Sequence, residues 1–388
     1  MILRGDKRPA PGAPPRLMIV GGGTGGHVFP GVAVAQAWLA RVPSGEVIFV
    51  GSPRGMEARA VPALGIPFVA LDARRLKNAG LVERLRSLFS LPAALYRGWR
   101  TVRAHDPLAV LGVGGYVSGP VVLAAALAGR PCAIAEQNAR PGLTNRLLAR
   151  VVQRIFTAFP EAQDTLPEAK IRMLGNPVRA DFVARAAEAI THRDEATRAE
   201  ATRILILGGS QGARALNEKL PPALARLAAT HRITIRHQTG QGKDKPVREA
   251  YAAAGLAEAR VEPFIDDMVT AIVDADLIIA RAGATTVAEL AAIGRPALFI
   301  PFPHAADDHQ AANAASLVDA GAALMAREET LTEDRLVDLI GAPRRPRPPA
   351  AMARSARTRG RPEAAAAIVD ALLYFAGQPA LVRNQEAP

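Results

Sequence analysis

The sequence is poor in cysteine and in aromatic residues, and each scarcity excludes a class of protein. The chain has 388 residues but a single cysteine, Cys132. One cysteine cannot form an internal disulfide framework or a cysteine-built metal site, so we expect a reducing compartment such as the cytosol. Aromatic residues make up only 4 % of the chain while hydrophobic residues reach 49 %. The cores are therefore expected to consist of alanine, leucine, valine and isoleucine.

Long hydrophobic runs are also missing. The most apolar stretch, residues 121–129, is far shorter than the roughly 20 residues that a membrane-spanning helix needs. The first residues carry charges and prolines instead of the apolar core of a signal peptide, and residues 1–15 are expected to be a disordered leader. Any contact with a membrane would then be peripheral.

Acidic residues are fewer than basic residues. The chain has 48 lysines and arginines against 36 acidic residues, which gives a formal net charge of +12. Such an excess favours an anionic partner, namely nucleic acid, anionic lipid or a phosphorylated substrate. The simpler explanation, a composition rich in arginine and alanine, remains open at this point.

What the sequence does contain is a regular alternation of short apolar runs with helical stretches. This pattern predicts parallel sheets covered by helices, and the length suits two domains. Residues 158–178 contain three prolines and are expected to connect the domains, and residues 362–374 form a final apolar helix. Strands are expected at 17–20, 47–50, 68–71, 108–112, 132–135, 154–157, 203–207, 233–237, 260–263, 277–280 and 297–301.

Both halves begin with a strand, a glycine-rich loop and a helix. In the first half the loop is Gly21–Gly26, and the helix is expected from about Val28. Glycines allow positive φ and close approach of a ligand, and a helix N-terminus suits a phosphate. The same order recurs at residues 203–214. Two doubly wound halves facing a cleft are the simplest architecture.

Two familiar phosphate loops fit poorly. The spacing of Gly21, Gly23 and Gly26 matches a dinucleotide fingerprint, but that site needs an acidic residue after the second strand. Here the strand is followed by glycine, serine and proline at 51–53. A P-loop needs lysine and a hydroxyl residue where His27 and Val28 stand. Neither NAD nor a P-loop nucleotide is favoured.

The second half carries a further candidate ligand loop at residues 281–286. Its backbone N–H groups and hydroxyls suit a pyrophosphate at a helix N-terminus. Glu289, one turn later, suits a ribose diol, because two carboxylate oxygens match two hydroxyls; the alternative is an ordinary acidic residue in a first helical turn. In the loop 301–310, Gln310 suits sugar hydroxyls. A metal site of His304, Asp308 and His309 is only weakly indicated.

Residues 74–103 resemble a basic amphipathic pair of helices split by Pro92. Apolar side chains recur at helical spacing among many arginines, an arrangement that can lie on an anionic membrane. The alternative is that the apolar stripe faces the domain core. The membrane-facing residues would be Arg74, Arg75, Lys77, Leu81, Arg84, Leu85, Leu88, Phe89 and Trp99.

The motifs taken together resemble the MurG family of UDP-GlcNAc:lipid-linked muramyl-pentapeptide N-acetylglucosaminyltransferases. No single motif decides this, but eight occur in order along nearly the whole chain. They are GGGTGGHVFPG (21–31), GVGGYVSGP (112–120), EQNARPGLTNR (136–146), GNPVR (175–179), GGSQGA (208–213), FIDDM (264–268), RAGATTVAEL (281–290) and PHAADDHQ (303–310).

This resemblance implies a GT-B fold and an inverting transfer of GlcNAc from UDP-GlcNAc to the 4-hydroxyl of MurNAc in lipid I, giving lipid II. It implies an acceptor and membrane-associating domain at 16–170, joined by residues 362–388, and a donor domain at 171–361. The enzyme would be peripheral at the cytoplasmic face of the inner membrane. No cofactor, required metal or nucleic acid is implied.

The resemblance also implies the roles of individual residues. Gly22, Gly23 and Tyr116 would lie on the acceptor side. His27 is the first candidate for the general base that deprotonates the acceptor hydroxyl, or it only fixes its loop. Glu136 is the second, as base or as the partner orienting His27. Residues expected to contact UDP-GlcNAc are Thr24, Gly25, Gly26, Asn138, Arg179, Ser210, Ile265, Ala284, Thr285, Thr286, Val287, Ala288, Glu289 and Gln310.

Two other classes of function remain open from the sequence. A UDP-GlcNAc 2-epimerase would share the fold and the donor site, but it would not need the basic amphipathic segment or the acceptor motifs. A non-catalytic nucleotide-sugar-binding subunit is disfavoured, because both halves of the enzyme lie in one chain.

Overall fold

The computed structural model describes residues 13–72, 81–191, 201–209, 211–341 and 349–381, without the side chains of 81–90. Several predicted positions lie outside this part of the chain. They are most of the leader, Arg74, Arg75, Lys77, the side chains of Leu81, Arg84, Leu85, Leu88 and Phe89, Ser210, and residues 342–348.

The first compact unit runs to Ala180 and includes the segment from Arg361 onward. Its parallel sheet has the order β3-β2-β1-β4-β5-β6-β7. The central strands are apolar runs because helices cover both faces of the sheet. The strands are β1 Arg16–Gly21, β2 Glu46–Gly51, β3 Phe68–Ala70, β4 Ala109–Gly114, β5 Cys132–Glu136, β6 Arg154–Thr157 and β7 Ile171–Met173.

Helices pack on both faces of this first sheet. One core lies under α1 and α14 and contains the fully buried Trp38 and Phe49. The guanidinium of Arg41 binds both carboxylate oxygens of Asp370, at 2.9 and 2.7 Å, and so ties α1 to α14. The helices of this unit are α1 Gly25–Arg41, α2 Glu57–Ala60, α3 Leu81–His105, α4 Ser118–Leu127, α5 Leu143–Leu148 and α14 Ala364–Phe375.

The expected break at Pro92 is wrong. Helix α3 runs continuously from Leu81 to His105 with Pro92 inside it. Proline costs one backbone hydrogen bond there, but the helix lies against α4. A Cβ on Gly98 would come 3.1 Å from the Cα of Val121. This close packing supplies the contacts that allow the helix to continue past the proline.

The second unit, Asp181–Gly360, repeats the architecture. Its parallel sheet has the order β10-β9-β8-β11-β12-β13. The strands are β8 Thr202–Leu207, β9 Ile233–Gln238, β10 Arg260–Glu262, β11 Leu277–Ala280, β12 Ala297–Phe299 and β13 Ala323–Met325. The helices are α6 Ala180–Thr191, α7 Arg214–Ala228, α8 Asp244–Ala253, α9 Met268–Asp274, α10 Ala284–Ile293, α11 His309–Asp319, α12 Glu333–Gly341 and α13 Pro349–Arg359.

Two edge strands, β7 and β13, were not expected from the sequence. Strand β7 lies in the segment expected to connect the domains, and it pairs with β6. The first unit therefore ends at Ala180 rather than at residue 170. Within the described residues, we find no helix that is both long enough and apolar enough to span a bilayer.

Candidate active site

The glycine-rich turn after β1 leads directly into α1. The helix begins at Gly25 rather than near Val28, so Gly25, Gly26 and His27 form its first turn. Thr24 is the N-cap and makes no side-chain capping hydrogen bond. Because the N-terminus of a helix carries a partial positive charge and orphan N–H groups, this turn suits an anionic or hydroxyl-rich ligand.

Part of the expected phosphate cradle is already occupied by a carboxylate. The N–H of Gly23 donates a hydrogen bond to Oε2 of Glu57 at 2.9 Å. Glu57 is fully buried, and its other oxygen accepts from the N–H of Ser52 at 2.9 Å. The N–H of Gly23 is therefore already used in a hydrogen bond within the protein. The sequence analysis missed Glu57, because nothing in its local pattern indicates burial.

His27 is held by a neighbouring amide side chain. Its Nδ1 lies 3.2 Å from Oε1 of Gln137. The amide nitrogen of Gln137 donates to the carbonyl of Ala135 at 3.2 Å, which orients its oxygen toward the imidazole. An oxygen acceptor at Nδ1 places the imidazole hydrogen there. The basic lone pair is then on Nε2.

Glu136 does not orient His27 in this structure. Its carboxylate is almost fully buried and accepts hydrogen bonds from Asn138, Gly142 and Asn145. The bonds from the backbone N–H groups of Asn138 and Gly142 are both 3.0 Å long, and that from Nδ2 of Asn145 is 2.8 Å. These bonds make Glu136 the organiser of the loop that carries Asn138. The partner of His27 is Gln137, which sequence reasoning missed.

The turn after β4 lies against the first glycine loop. The N–H of Gly22 donates to the carbonyl of Gly114 at 3.3 Å. Gly114 has φ +99°, and a Cβ on it would come 2.6 Å from Nδ1 of His27. The buried hydroxyl of Ser118 bonds the carbonyls of Val20 and Gly114, at 2.7 and 2.8 Å. The ring of Tyr116 is exposed beside them.

Arg179 lies close to the start of α1, within the first unit. Its guanidinium carbon is 5.7 Å from the centre of the Phe29 ring. A Cβ on Gly25 would touch that same ring at 3.1 Å. The structure thus brings a cation, expected to contact phosphate, near the first turn of α1.

In the second unit the loop after β11 forms the first turn of α10. This helix begins at Ala284, so Ala284, Thr285 and Thr286 present first-turn N–H groups. Gly283 is the N-cap and adds no side-chain cap. The hydroxyl of Thr285 is buried and has no hydrogen-bond partner among the residues that the structure describes. The side chain of Val287 is buried, so only its backbone could contact a ligand.

A second set of contacts fixes this loop, which is expected to bind the donor, to the loop after β12. Nη1 of Arg281 donates to the carbonyls of Ile300 and Pro301, at 3.0 and 3.1 Å. Its Nη2 forms an ion pair with Glu328. The fully buried Asn313 donates to the carbonyl of Ala282 at 3.2 Å. Sequence reasoning included Arg281 in a motif but assigned it no role, and it missed Asn313.

Two further residues are expected to contact the donor, one through its backbone and one through its side-chain amide. Ile265, which is expected to contact uracil through its backbone, is buried. Oε1 of Gln310 accepts from the N–H of Phe302 at 2.9 Å, which leaves the amide nitrogen for sugar hydroxyls. Ala288 and Glu289 follow within α10.

The weakly indicated metal site does not form. Both carboxylate oxygens of Asp308 bind Arg327, at 3.0 and 2.8 Å. Among the residues that the structure describes, no group of three or more His, Cys, Asp or Glu side chains could hold a metal ion.

Two models of glycosyltransferase family 28 together match most of the chain. The glycosyltransferase family 28 N-terminal domain matches residues 17–157, and the family 28 C-terminal domain matches residues 203–368. The UDP-N-acetylglucosamine--N-acetylmuramyl-(pentapeptide) pyrophosphoryl-undecaprenol N-acetylglucosamine transferase of Anaeromyxobacter dehalogenans (strain 2CP-C) is 48 % identical over 361 residues, covering 92 % of this chain and 91 % of the relative. The chain belongs to the MurG family of glycosyltransferases. A relative of the same name from Myxococcus xanthus (strain DK1622) is 44 % identical over 358 residues, with coverage of 92 % and 91 %.

Solved structures of similar fold include a member of the MurG family. The crystal structure of Acinetobacter baumannii MurG matches with a TM-score of 0.77 at 38 % identity, covering 93 % of this chain and all of that one. A UDP-N-acetylglucosamine 2-epimerase matches with a TM-score of 0.63 at 17 % identity, over 94 % of this chain and 97 % of that one. The second likeness concerns the fold alone. The expected family and the two Rossmann-like α/β domains are confirmed.

Proposed function

We propose that this chain is an inverting N-acetylglucosaminyltransferase that moves GlcNAc from UDP-GlcNAc to the 4-hydroxyl of MurNAc in lipid I. The product would be lipid II, a precursor for peptidoglycan synthesis and thereby for cell shape and division. The observation that carries this proposal is the 48 % identity to a named transferase over 92 % of the chain. The second unit would bind the donor and the first unit the acceptor.

The donor-binding residues offer the chemistry that a nucleotide sugar needs. First-turn N–H groups of Ala284–Thr286 suit the diphosphate, and Glu289 suits the ribose diol. Gln310 and Asn138 would bind GlcNAc hydroxyls, and Arg179 and Ser210 the phosphates. Helix dipoles and arginine would stabilise the UDP leaving group.

His27 would act as the general base. The Gln137 oxygen at Nδ1 leaves the Nε2 lone pair for the proton of the acceptor hydroxyl. The hydroxyl oxygen then attacks the anomeric carbon as the bond to UDP breaks, which inverts that centre. Glu136 would support the reaction by holding the Asn138 loop.

The first unit would contact the anionic inner membrane from the cytoplasmic side as a peripheral protein. Helix α3 exposes Leu91, Tyr96 and Trp99, and α4 exposes Leu127. Tyr96 and Trp99 stack with ring centres 6.1 Å apart, and Arg103 lies 4.9 Å from the centre of the Trp99 ring. Part of the same helix faces the domain core instead, because Ala94 and Val102 are buried.

One assay tests the proposed function. The protein is incubated with labelled UDP-GlcNAc, with and without a lipid I analogue. We expect label in the lipid product only when the analogue is present. Release of the 2-epimer without acceptor would favour the isomerase, and retention of UDP-GlcNAc without turnover would favour a binding subunit.

A further inference from the structure

Glu57 is a buried carboxylate that the proposed mechanism does not use. It lies at the start of the short helix α2 and is fully buried. Its two oxygens accept from two different segments, Ser52 after β2 and Gly23 after β1, each at 2.9 Å. Within the described part of the chain its carboxylate makes no salt bridge. Burial of a carboxylate is costly unless hydrogen bonds compensate it, so this arrangement requires an explanation.

Three glycines leave the space that this carboxylate occupies. A Cβ on Gly22 would lie 2.0 Å from Oε1, and a Cβ on Gly55 would lie 2.1 Å from Oε2. A Cβ on Gly51 would lie 2.5 Å from Cγ of the same side chain. The backbone of three separate glycines therefore surrounds the Glu57 side chain. The hydrogen bonds from backbone N–H groups to its carboxylate are of the stronger, charge-assisted kind.

The segment that Glu57 holds is connected by contacts to the proposed base. Gly22 and Gly23 have φ +148° and +98°, conformations that favour glycine and need external support. Gly22 bonds Gly114, and a Cβ on Gly115 would lie 2.4 Å from the Gly22 carbonyl oxygen. A Cβ on Gly114 would in turn lie 2.6 Å from Nδ1 of the His27 imidazole, so this turn lies directly beside the ring.

We propose that Glu57 is a positioning residue for the acceptor side of the reaction. Its carboxylate fixes the peptide planes of Gly22 and Gly23, and through the Gly114–Gly115 turn it sets the place of the His27 imidazole. It also accepts the hydrogen bond of the Gly23 N–H, so that this amide does not bind an acceptor phosphate. The proposal rests on the transferase function proposed above.

Two variants test this role, one by changing the Glu57 carboxylate and the other by changing a glycine that contacts it. Glu57→Gln keeps the size of the side chain but replaces one acceptor oxygen with a donor, which opposes a backbone N–H. Gly55→Ala leaves Glu57 in place but displaces its carboxylate, because the new Cβ would overlap Oε2. Gly341→Ala is the matched control, since its Cβ would meet nothing within 4 Å among the described residues at the end of α12 in the other unit.

We expect both variants to raise KM for the lipid I analogue and lower kcat, with kcat/KM for the acceptor reduced about 30-fold or more. KM for UDP-GlcNAc should stay within about twofold. Amide hydrogen exchange at Gly23 should become faster, and Gly341→Ala should match the wild type in all measurements.

Two results would overturn the role of Glu57 while leaving the transferase intact. One is an active wild type whose Glu57→Gln and Gly55→Ala forms keep the acceptor kcat/KM. The other is that the variants yield less folded protein but the folded fraction has the wild-type kcat and both wild-type KM values. Glu57 would then contribute only to stability. A wild type without transfer would instead contradict the proposed function, and Gly23 exchange would still report on the Glu57 contact.

Discussion

The imidazole of His27 is held so that one nitrogen is engaged and the other is left for chemistry. Gln137 occupies Nδ1, and the glycine at 114 leaves room for the ring. Replacing His27 with alanine removes the proposed base but leaves the proposed donor loop of the second unit unchanged. We expect kcat to fall about 100-fold, because general base catalysis contributes about 10²–10⁴-fold. Steady-state kinetics should show KM for UDP-GlcNAc within about twofold.

A matched control exists for this test. His231 is a half-buried histidine of the second unit whose Nδ1 lies 2.9 Å from the hydroxyl of Thr230. We expect His231→Ala to keep wild-type kinetics. A reduction of kcat by less than about tenfold in His27→Ala would reject general base catalysis there. The imidazole would then only fix its loop.

A second histidine couples the stability of the second unit to pH. Burial of His237 lowers its pKa to about 3, and its Nδ1 lies 3.0 Å from the hydroxyl of Tyr251. The unfolded chain, with an ordinary histidine pKa of about 6.5, binds the proton that the folded chain excludes. The free energy of unfolding should therefore be unaffected above about pH 6.5 and fall by about 3 kcal/mol from pH 7 to about pH 4.

Urea unfolding at several pH values measures this effect. In His237→Gln the titrating group is gone, so the pH dependence should become shallower by that amount, although the variant is less stable at pH 7. Identical pH slopes for the variant and the wild type would show that His237 does not report on acid stability.

The residues that sequence reasoning missed share one physical property. Glu57 and Gln137 act through burial and through contacts with segments far away in the chain. An isolated glutamate after Gly55 and Met56 has no local pattern that distinguishes it from a solvated one. His27, by contrast, was identifiable because it is the histidine of a glycine loop that follows an apolar strand. Motif residues are thus visible in sequence, whereas the side chains that hold them require the fold.

At the scale of elements, every strand in the middle of the two sheets could be predicted, and of the four edge strands β3 and β10 were predicted while β7 and β13 were not. Runs such as 17–20 and 277–280 are continuously apolar, because helices cover both faces. Strands β7 and β13 have three residues each and only partial burial. Short edge strands of this kind do not produce a clear apolar run. Helix α3 was misjudged for a related reason, since its packing on α4 outweighs the local effect of Pro92.

The donor loop depends on Arg281 as the connection between β11 and β12. Arg281→Met removes two hydrogen bonds to backbone carbonyls and leaves Glu328 unpaired. Breaking a largely buried ion pair costs about 3–5 kcal/mol when one partner is removed. We expect lower thermal stability and a KM for UDP-GlcNAc raised about tenfold, because the first turn of α10 loses its support.

A paired variant separates stability from binding. In the double variant Arg281→Met with Glu328→Gln, the unpaired charge is gone, so stability should partly return while KM for UDP-GlcNAc stays high. Arg335→Met, at an exposed site on α12, is the control. Recovery of the donor KM in the double variant would show that the charge, and not the bonds to Ile300 and Pro301, determines donor binding.

At the scale of the whole molecule, the net charge of +12 and the exposed aromatic surface act together. Tyr96 and Trp99 stack on each other with Arg103 beside the Trp99 ring, and Leu91 and Leu127 are further exposed apolar residues of α3 and α4. Apolar side chains would enter the interface, and arginines would attract anionic headgroups. An acceptor carried on a polyprenyl lipid requires such a contact.

Binding to vesicles tests this surface through its salt dependence. We expect the protein to float with vesicles containing anionic phosphatidylglycerol at about 0.1 M salt and much less at about 1 M, because the Debye length shrinks from about 10 Å to about 3 Å.

The double variant Tyr96→Ser with Trp99→Ser should bind more weakly at both concentrations, since it removes the apolar part of the contact. Leu64→Ser removes a similarly exposed apolar residue elsewhere in the first unit and should bind like the wild type. Binding that is equal for neutral and anionic vesicles, or insensitive to salt, would contradict an electrostatic contact. Equal losses in the aromatic and Leu64 variants would show that this surface is not the one that meets the membrane.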